Sequence, residues 1–143
     1  MKLLVVNGPN LNLTGQRAPE IYGTDTLDVI IGGLREYVES AGSELSDMQT
    51  NHEGGIIDAL HGAMGVYDGI ILNAGAYTHY SYAIRDAIDA CGIPTVEVHL
   101  SDIHAREPFR AVSVLQPVCI AQIHGRGKQG YIDAARLLLA QEE

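Results

Sequence analysis

A three-layer α/β domain, with a five-stranded parallel sheet covered by helices on both faces, is the fold that this sequence predicts. Three observations carry the expectation. Short apolar runs recur along the 143 residues, apolar residues at helical spacing fall between them, and Gly, Pro and Asn stand at the junctions. Parallel strands need a crossover, usually helical, and strands buried on both faces read as continuous apolar runs.

The first run, Lys2 to Val6, is such a strand. The thirteen residues Leu11 to Gly23, LNLTGQRAPEIYG, have neither helix nor strand period and are interrupted by Gly15, Pro19 and Gly23, so they are expected to form a long loop. Leu27, Ile30, Ile31, Leu34 and Val38 follow at helical spacing, closed by Gly42. A weak strand from Leu45 to Gln49, a helix with Ile56, Ile57, Leu60 and Met64 on one face, and the strand Gly69 to Leu72 continue the alternation. Thr78 is expected to cap a third helix, whose Ala83, Ile84, Ala87, Ile88 and Cys91 form an apolar stripe ended by Gly92 and Pro94. Thr95 to Leu100 is the fourth strand, Ile103 to Phe109 holds a short helical turn, Val118 to Ile123 is the fifth strand, and Gln129 to Ala140 is the last helix. Residues 1–143 read as one domain without repeats, and the expected strand order is the flavodoxin-like 2-1-3-4-5.

Composition narrows the partners. With 46% hydrophobic and 19% charged residues the chain resembles an ordinary soluble globule, and no apolar run approaches the ~20 residues of a membrane span. The apolar start before Asn7 is too short for a signal peptide, which sets a cytoplasmic expectation. Cys91 and Cys119 lack CxxC spacing and sit in apolar segments, as buried reduced thiols do. A net charge of −9 opposes nucleic-acid binding. Yet Arg17, Arg106 and Arg110 fall in loops at one end of the predicted sheet, which points to a small anionic ligand.

In this architecture ligands sit beyond the carboxyl ends of the strands, near the switch point between strands 1 and 3. There the sequence places Asn7-Gly8-Pro9-Asn10 and the loop with Arg17 and Tyr22, then Asn73-Ala74-Gly75-Ala76-Tyr77-Thr78-His79, then Glu97 to Arg106. Glu97 and His99 are two apart on a strand and face one side, so the carboxylate can fix the imidazole tautomer and suit it to general-acid work. The bland alternative is a Glu and His on an exposed edge strand. His79 and Asp86, seven apart, are expected on one face of the third helix, where Asp86 reads equally well as a solvated surface acid. No HxxxH or HExxH spacing supports a metal site. Gly125 to Gly130 spells GxGxxG, but after the last strand and too near the chain end for a ribose-binding acid about 20 residues on, so it reads as a tight turn. Asn7 and Asn73 stand where a receiver domain would carry acids.

With these residues in place, the sequence resembles the type II dehydroquinases nearly end to end. The matching segments are Asn7 to Asn12, Gly15 to Gly23, Asn51-His52-Glu53-Gly54, Ala76 to His79, Ile84-Arg85-Asp86, Glu97 to Ser101 and Ile103 to Glu107. The resemblance implies a single catalytic domain that dehydrates 3-dehydroquinate to 3-dehydroshikimate in the shikimate pathway, without cofactor or metal, in a dodecamer of four trimers. It makes Tyr22 the base, Arg17 its lid companion, His99 the acid with Glu97 behind it, and Asn10 the holder of an enolate-stabilising water. It assigns the substrate carboxylate to Asn73 and the backbone of Leu100 and Ser101, and the hydroxyls to His79 and Arg110. It also brings Asp86 to a neighbouring subunit's site and Arg106 close to the Tyr.

Ala74-Gly75, Ala18 and Asp102 depart from the usual pattern, which bears on loop geometry and carboxylate affinity. The chemistry fits the residue types, because removing a proton alpha to a ketone needs a base, an enolate stabiliser and an acid for the departing hydroxyl. The irregular Leu11–Gly23 stretch then reads as a lid that carries a base and a cation over the anion. A competing reading is a noncatalytic flavodoxin-like module for flavin or phosphate, which explains the Gly-rich turns but leaves Tyr22, Glu97 and His99 without a task.

Overall fold

Leu3, Val5, Ile71, Val96 and Val98 point to one face of the sheet, while Leu4, Val6, Ile70 and Leu72 point to the other, as the two-residue period of strands requires. The computed structural model describes residues 1–141. Its strands are β1 (Lys2–Asn7), β2 (Glu44–Gln49), β3 (Gly69–Asn73), β4 (Thr95–Val98) and β5 (Ala121–Ile123). They pair in parallel in the order β2-β1-β3-β4-β5, the expected flavodoxin-like arrangement. The helices are α1 (Pro19–Tyr22), α2 (Leu27–Ser40), α3 (Glu53–Ala63), α4 (Tyr82–Cys91) and α5 (Gln129–Ala140). Ile30, Ile31, Leu34 and Val38 of α2 join Tyr131, Ala134 and Leu138 of α5 in the core of one face. Ile56 and Leu60 of α3 join Ile84 and Ile88 of α4 on the other. No helix among the described residues is long and apolar enough to cross a membrane.

The departures from expectation lie at element ends. The cap of α4 is Ser81, whose hydroxyl accepts from the Ile84 N–H at 3.1 Å; Thr78 instead lies inside a 3₁₀ turn, Gly75–His79. His79 and Asp86 therefore do not share a helix face. Met64 falls just beyond α3 and is exposed. β4 ends at Val98, because the Leu100 and Ser101 carbonyls turn to accept from the Gly127 and Gly125 N–H groups. β5 starts late because Gln116–Val118, with Pro117 in its first turn, forms a 3₁₀ turn. The Leu11–Gly23 loop is not structureless: it contains a 3₁₀ turn at Leu11–Leu13 and the single helical turn α1, begun by Pro19.

Ser81 also donates to Glu53 Oε2 at 2.7 Å, so one hydroxyl caps α4 and ties it to α3. Ser81→Ala is expected to lower stability by about 1 to 2 kcal/mol, read as a shift in thermal midpoint; an unchanged midpoint would show that water replaces both bonds.

Candidate active site

Asn7 and Asn73 lie side by side in the register of β1 and β3, at the carboxyl edge where the two chains diverge. Gly8 follows, its N–H bonded to the Asn73 carbonyl at 2.7 Å. A Cβ at Gly8 would lie 2.7 Å from the Ala74 carbonyl carbon and oxygen, so only glycine permits this approach. The adjoining cleft has a volume of about 70 Å³ and opens to solvent. Asn10 and Leu11 line it after β1, Arg17 and Tyr22 from the lid, and Asn73 and His79 after β3. His99, Leu100, Ser101, Arg106 and Arg110 line it after β4. Ten of the twelve expected site residues thus border one cleft. Glu97 stands behind His99, and Asp86 is exposed on α4, outside the cleft.

Tyr22 ends α1 and is half-buried. Arg106 Nη1 donates to its hydroxyl at 2.7 Å, and the guanidinium carbons of Arg17 and Arg106 lie 4.8 and 5.0 Å from its ring centroid. Positive charge therefore flanks the phenol from two loops, one between β1 and α2 and one after β4. Arg106 also reaches the Ser101 hydroxyl at 3.4 Å. Asn10 holds a left-handed backbone conformation, φ 69°, which Asn tolerates, and its N–H donates to Asn51 Oδ1 at 3.1 Å.

Glu97 is fully buried on β4, an interior strand, which removes the edge-strand alternative. His99 Nε2 bonds its Oε2, Gln122 Nε2 donates to the same oxygen at 2.9 Å, and the Ser113 hydroxyl donates to Oε1 at 2.7 Å. Burial pushes this carboxyl's pKa up, but the hydrogen bonds and charge of its partners outweigh it and hold it below the ordinary value. The result is a buried anion that holds the His99 ring through Nε2 and fixes its orientation. Sequence reasoning missed Ser113 and Gln122. Gln122 was discoverable as the β5 residue opposite Glu97, whereas Ser113 lies in an irregular segment with no periodic signal.

The His79 ring stacks beside His99 with centroids 6.4 Å apart, and its Nδ1 donates to the Val112 carbonyl at 2.7 Å. Burial lowers the His79 pKa; the Val112 bond opposes this, while His99 and Arg110 reinforce it. A neutral ring with Nδ1 occupied leaves Nε2 as an acceptor for a ligand hydroxyl. Arg110 is held by the Glu107 carboxylate and stacks on Phe109 at 4.8 Å. Cys91 and Cys119 are free thiols; burial, with Glu97 nearby, pushes Cys119 up to about 12, which suppresses thiolate chemistry there. The GxGxxG segment serves as a turn, and its Gly125 and Gly127 N–H groups hold the Ser101 and Leu100 carbonyls at 2.9 and 3.1 Å.

A phenol flanked by two guanidinium groups and an imidazole backed by a buried carboxylate, set around one cleft on a doubly covered parallel sheet, are the kinds of group that an α/β enzyme of the acid–base class uses. The comparisons narrow that class: the family model described as Dehydroquinase class II matches residues 1–139, and the chain belongs to this family. A protein named 3-dehydroquinate dehydratase from Ruegeria pomeroyi is 54% identical over 138 residues, covering 96% of this chain and 93% of that protein. One of the same name from Bacillus licheniformis is 55% identical over 129 residues, covering 90% and 89%. Among solved structures, a type II dehydroquinase from Butyrivibrio crossotus superposes with a TM-score of 0.95 at 48% identity, covering 97% of each chain.

Proposed function

We propose that this chain dehydrates 3-dehydroquinate to 3-dehydroshikimate by trans elimination through an enolate, as a cytoplasmic enzyme of the shikimate pathway. The observation that carries the reading is the pairing of Tyr22, between Arg17 and Arg106, with the Glu97-backed His99 in one cleft. Its relatives' names, 3-dehydroquinate dehydratase, supply the substrate.

In this mechanism Tyr22, as phenolate, takes the proton alpha to the ketone, the C–H electron pair becomes the carbon–carbon double bond of the enolate, and the carbonyl π pair moves onto oxygen. A water held by Asn10 stabilises the resulting enolate. The enolate then collapses, the beta carbon–oxygen bond breaks, and the departing hydroxyl takes a proton from His99 to leave as water. Glu97 stabilises the imidazolium before that step. Asn73 and the backbone of Leu100 and Ser101 hold the substrate carboxylate, His79 and Arg110 its hydroxyls, and Arg106 tunes the base. No cofactor enters this scheme. Residues 1–143 act as one catalytic domain, and the assembly is a dodecamer of four trimers in which Asp86 completes a neighbour's site. The exposure of Asp86 on α4 is compatible with that role.

The test is ultraviolet absorbance of a 3-dehydroquinate solution after addition of purified, chelator-treated protein. A rising enone signal is expected; its absence from folded protein would overturn the reading. Arg17→Ala is expected to reduce kcat by about 10- to 100-fold with a smaller change in KM, because lid closure and charge act mainly on the chemical step. An unchanged kcat would reduce Arg17 to a bystander.

A further inference from the structure

Tyr131 is fully buried in α5, contributes a large apolar ring to the core, and yet carries a hydroxyl. That hydroxyl stands between the two strand-end asparagines. It donates to Asn7 Oδ1 at 2.6 Å and accepts from Asn73 Nδ2 at 3.1 Å. The Asn73 oxygen is occupied as well, accepting from the Gly75 N–H at 3.2 Å.

We propose that Tyr131 is a positioning residue: its hydroxyl locks the Asn73 amide so that an N–H, and not the carbonyl oxygen, faces the cleft. The directions of the bonds leave little freedom. A backbone N–H can only donate, so the Asn73 oxygen must face Gly75, and its nitrogen must then face Tyr131. The phenol consequently accepts from Asn73 and sends its own hydrogen to Asn7. One Asn73 N–H is left over, a donor suited to a carboxylate oxygen of the ligand. Burial pushes the Tyr131 pKa up, so the phenol keeps the hydrogen on which the chain of bonds depends.

A second feature marks the arrangement as selected for orientation. Asn7 Nδ2 is buried without a partner among the described residues, an unfavourable state that follows from turning the Asn7 oxygen toward Tyr131. An apolar pair at positions 7 and 131 would avoid that penalty, but it would release Asn73.

The inference rests on the dehydratase reading, in which Asn73 meets the substrate carboxylate. The experiment is steady-state kinetics with 3-dehydroquinate on wild type, Tyr131→Phe, Asn73→Ala and the double variant. Tyr131→Phe is expected to raise KM about five- to tenfold with kcat within about twofold. On the Asn73→Ala background the same change is expected to add nothing, because its effect passes through Asn73. An unchanged KM in Tyr131→Phe, or effects that multiply in the double variant, would overturn the inference. If Tyr131→Phe does not fold, Asn7→Ala decides: it removes the acceptor that orients the hydroxyl but keeps the ring, and is expected to raise KM alike; an unchanged KM there overturns the inference. Wild type without turnover would overturn the dehydratase reading and this inference together, whereas active wild type with an unaltered Tyr131→Phe overturns this inference alone.

Discussion

Tyr22→Phe is expected to lower kcat by about 10²- to 10⁴-fold, the range spanned by a positioned acid or base. The substitution removes one oxygen and keeps the half-buried ring on which Arg17 and Arg106 pack. Only the bond from Arg106 is lost from the lid. The fold and the proposed assembly are therefore expected to persist, as circular dichroism and size-exclusion chromatography on the same sample will register. A variant that is folded, assembled and still fast would exclude Tyr22 as the base.

Glu97→Gln is expected to damage both activity and stability. Three donors, from His99, Ser113 and Gln122, converge on the carboxylate, and an amide offers one oxygen where two are needed. At least one buried donor is left without an acceptor, a loss of about 1 to 3 kcal/mol. The imidazolium form of His99 also loses its counter-charge, so kcat is expected to fall about 10- to 100-fold. The pH dependence follows in sign from the lowered carboxyl. The folded pKa lies below the ordinary 4.5, so the stabilisation is present above pH 4.5 and is lost as pH falls through the folded value. Thermal midpoints measured downward from pH 4.5 should therefore drop more steeply for wild type than for Glu97→Gln. Parallel slopes would detach Glu97 from the acid lability of the fold.

Strands and helices were legible because their burial is written into the chain. The runs at Leu3 to Val6 and Gly69 to Leu72 are apolar throughout, since both faces of the sheet are covered. Gly42 and Gly92 announced helix ends and do adopt positive φ, 81° and 70°. The cap of α4 was not legible because Thr78 and Ser81 are both hydroxyl residues before one apolar stripe, and the 3₁₀ turn that takes up Thr78 has no periodicity to reveal it.

The site loops were visible as polar punctuation at strand ends, so Arg17, Tyr22, Asn73, His99 and Arg106 were found. The supporting groups were not, for a reason of distance along the chain. Ser113 stands 16 residues from Glu97, and Tyr131 stands 124 from Asn7. Tyr131 reads in sequence as one more apolar residue of a helix stripe. Asp86 is exposed and does not border this cleft, so neither pattern nor fold assigns it a ligand.

The seat of Gly8 against Ala74 has a bearing on how this sequence can drift. Any side chain at position 8 would strike backbone rather than a yielding neighbour, and the loops after β1 and β3 would have to separate. The floor of the cleft is thus closed to gradual mutation, while Arg17, Tyr22 and Arg106 meet one another over it through their side chains. Divergence toward a differently shaped ligand has its open route through that roof.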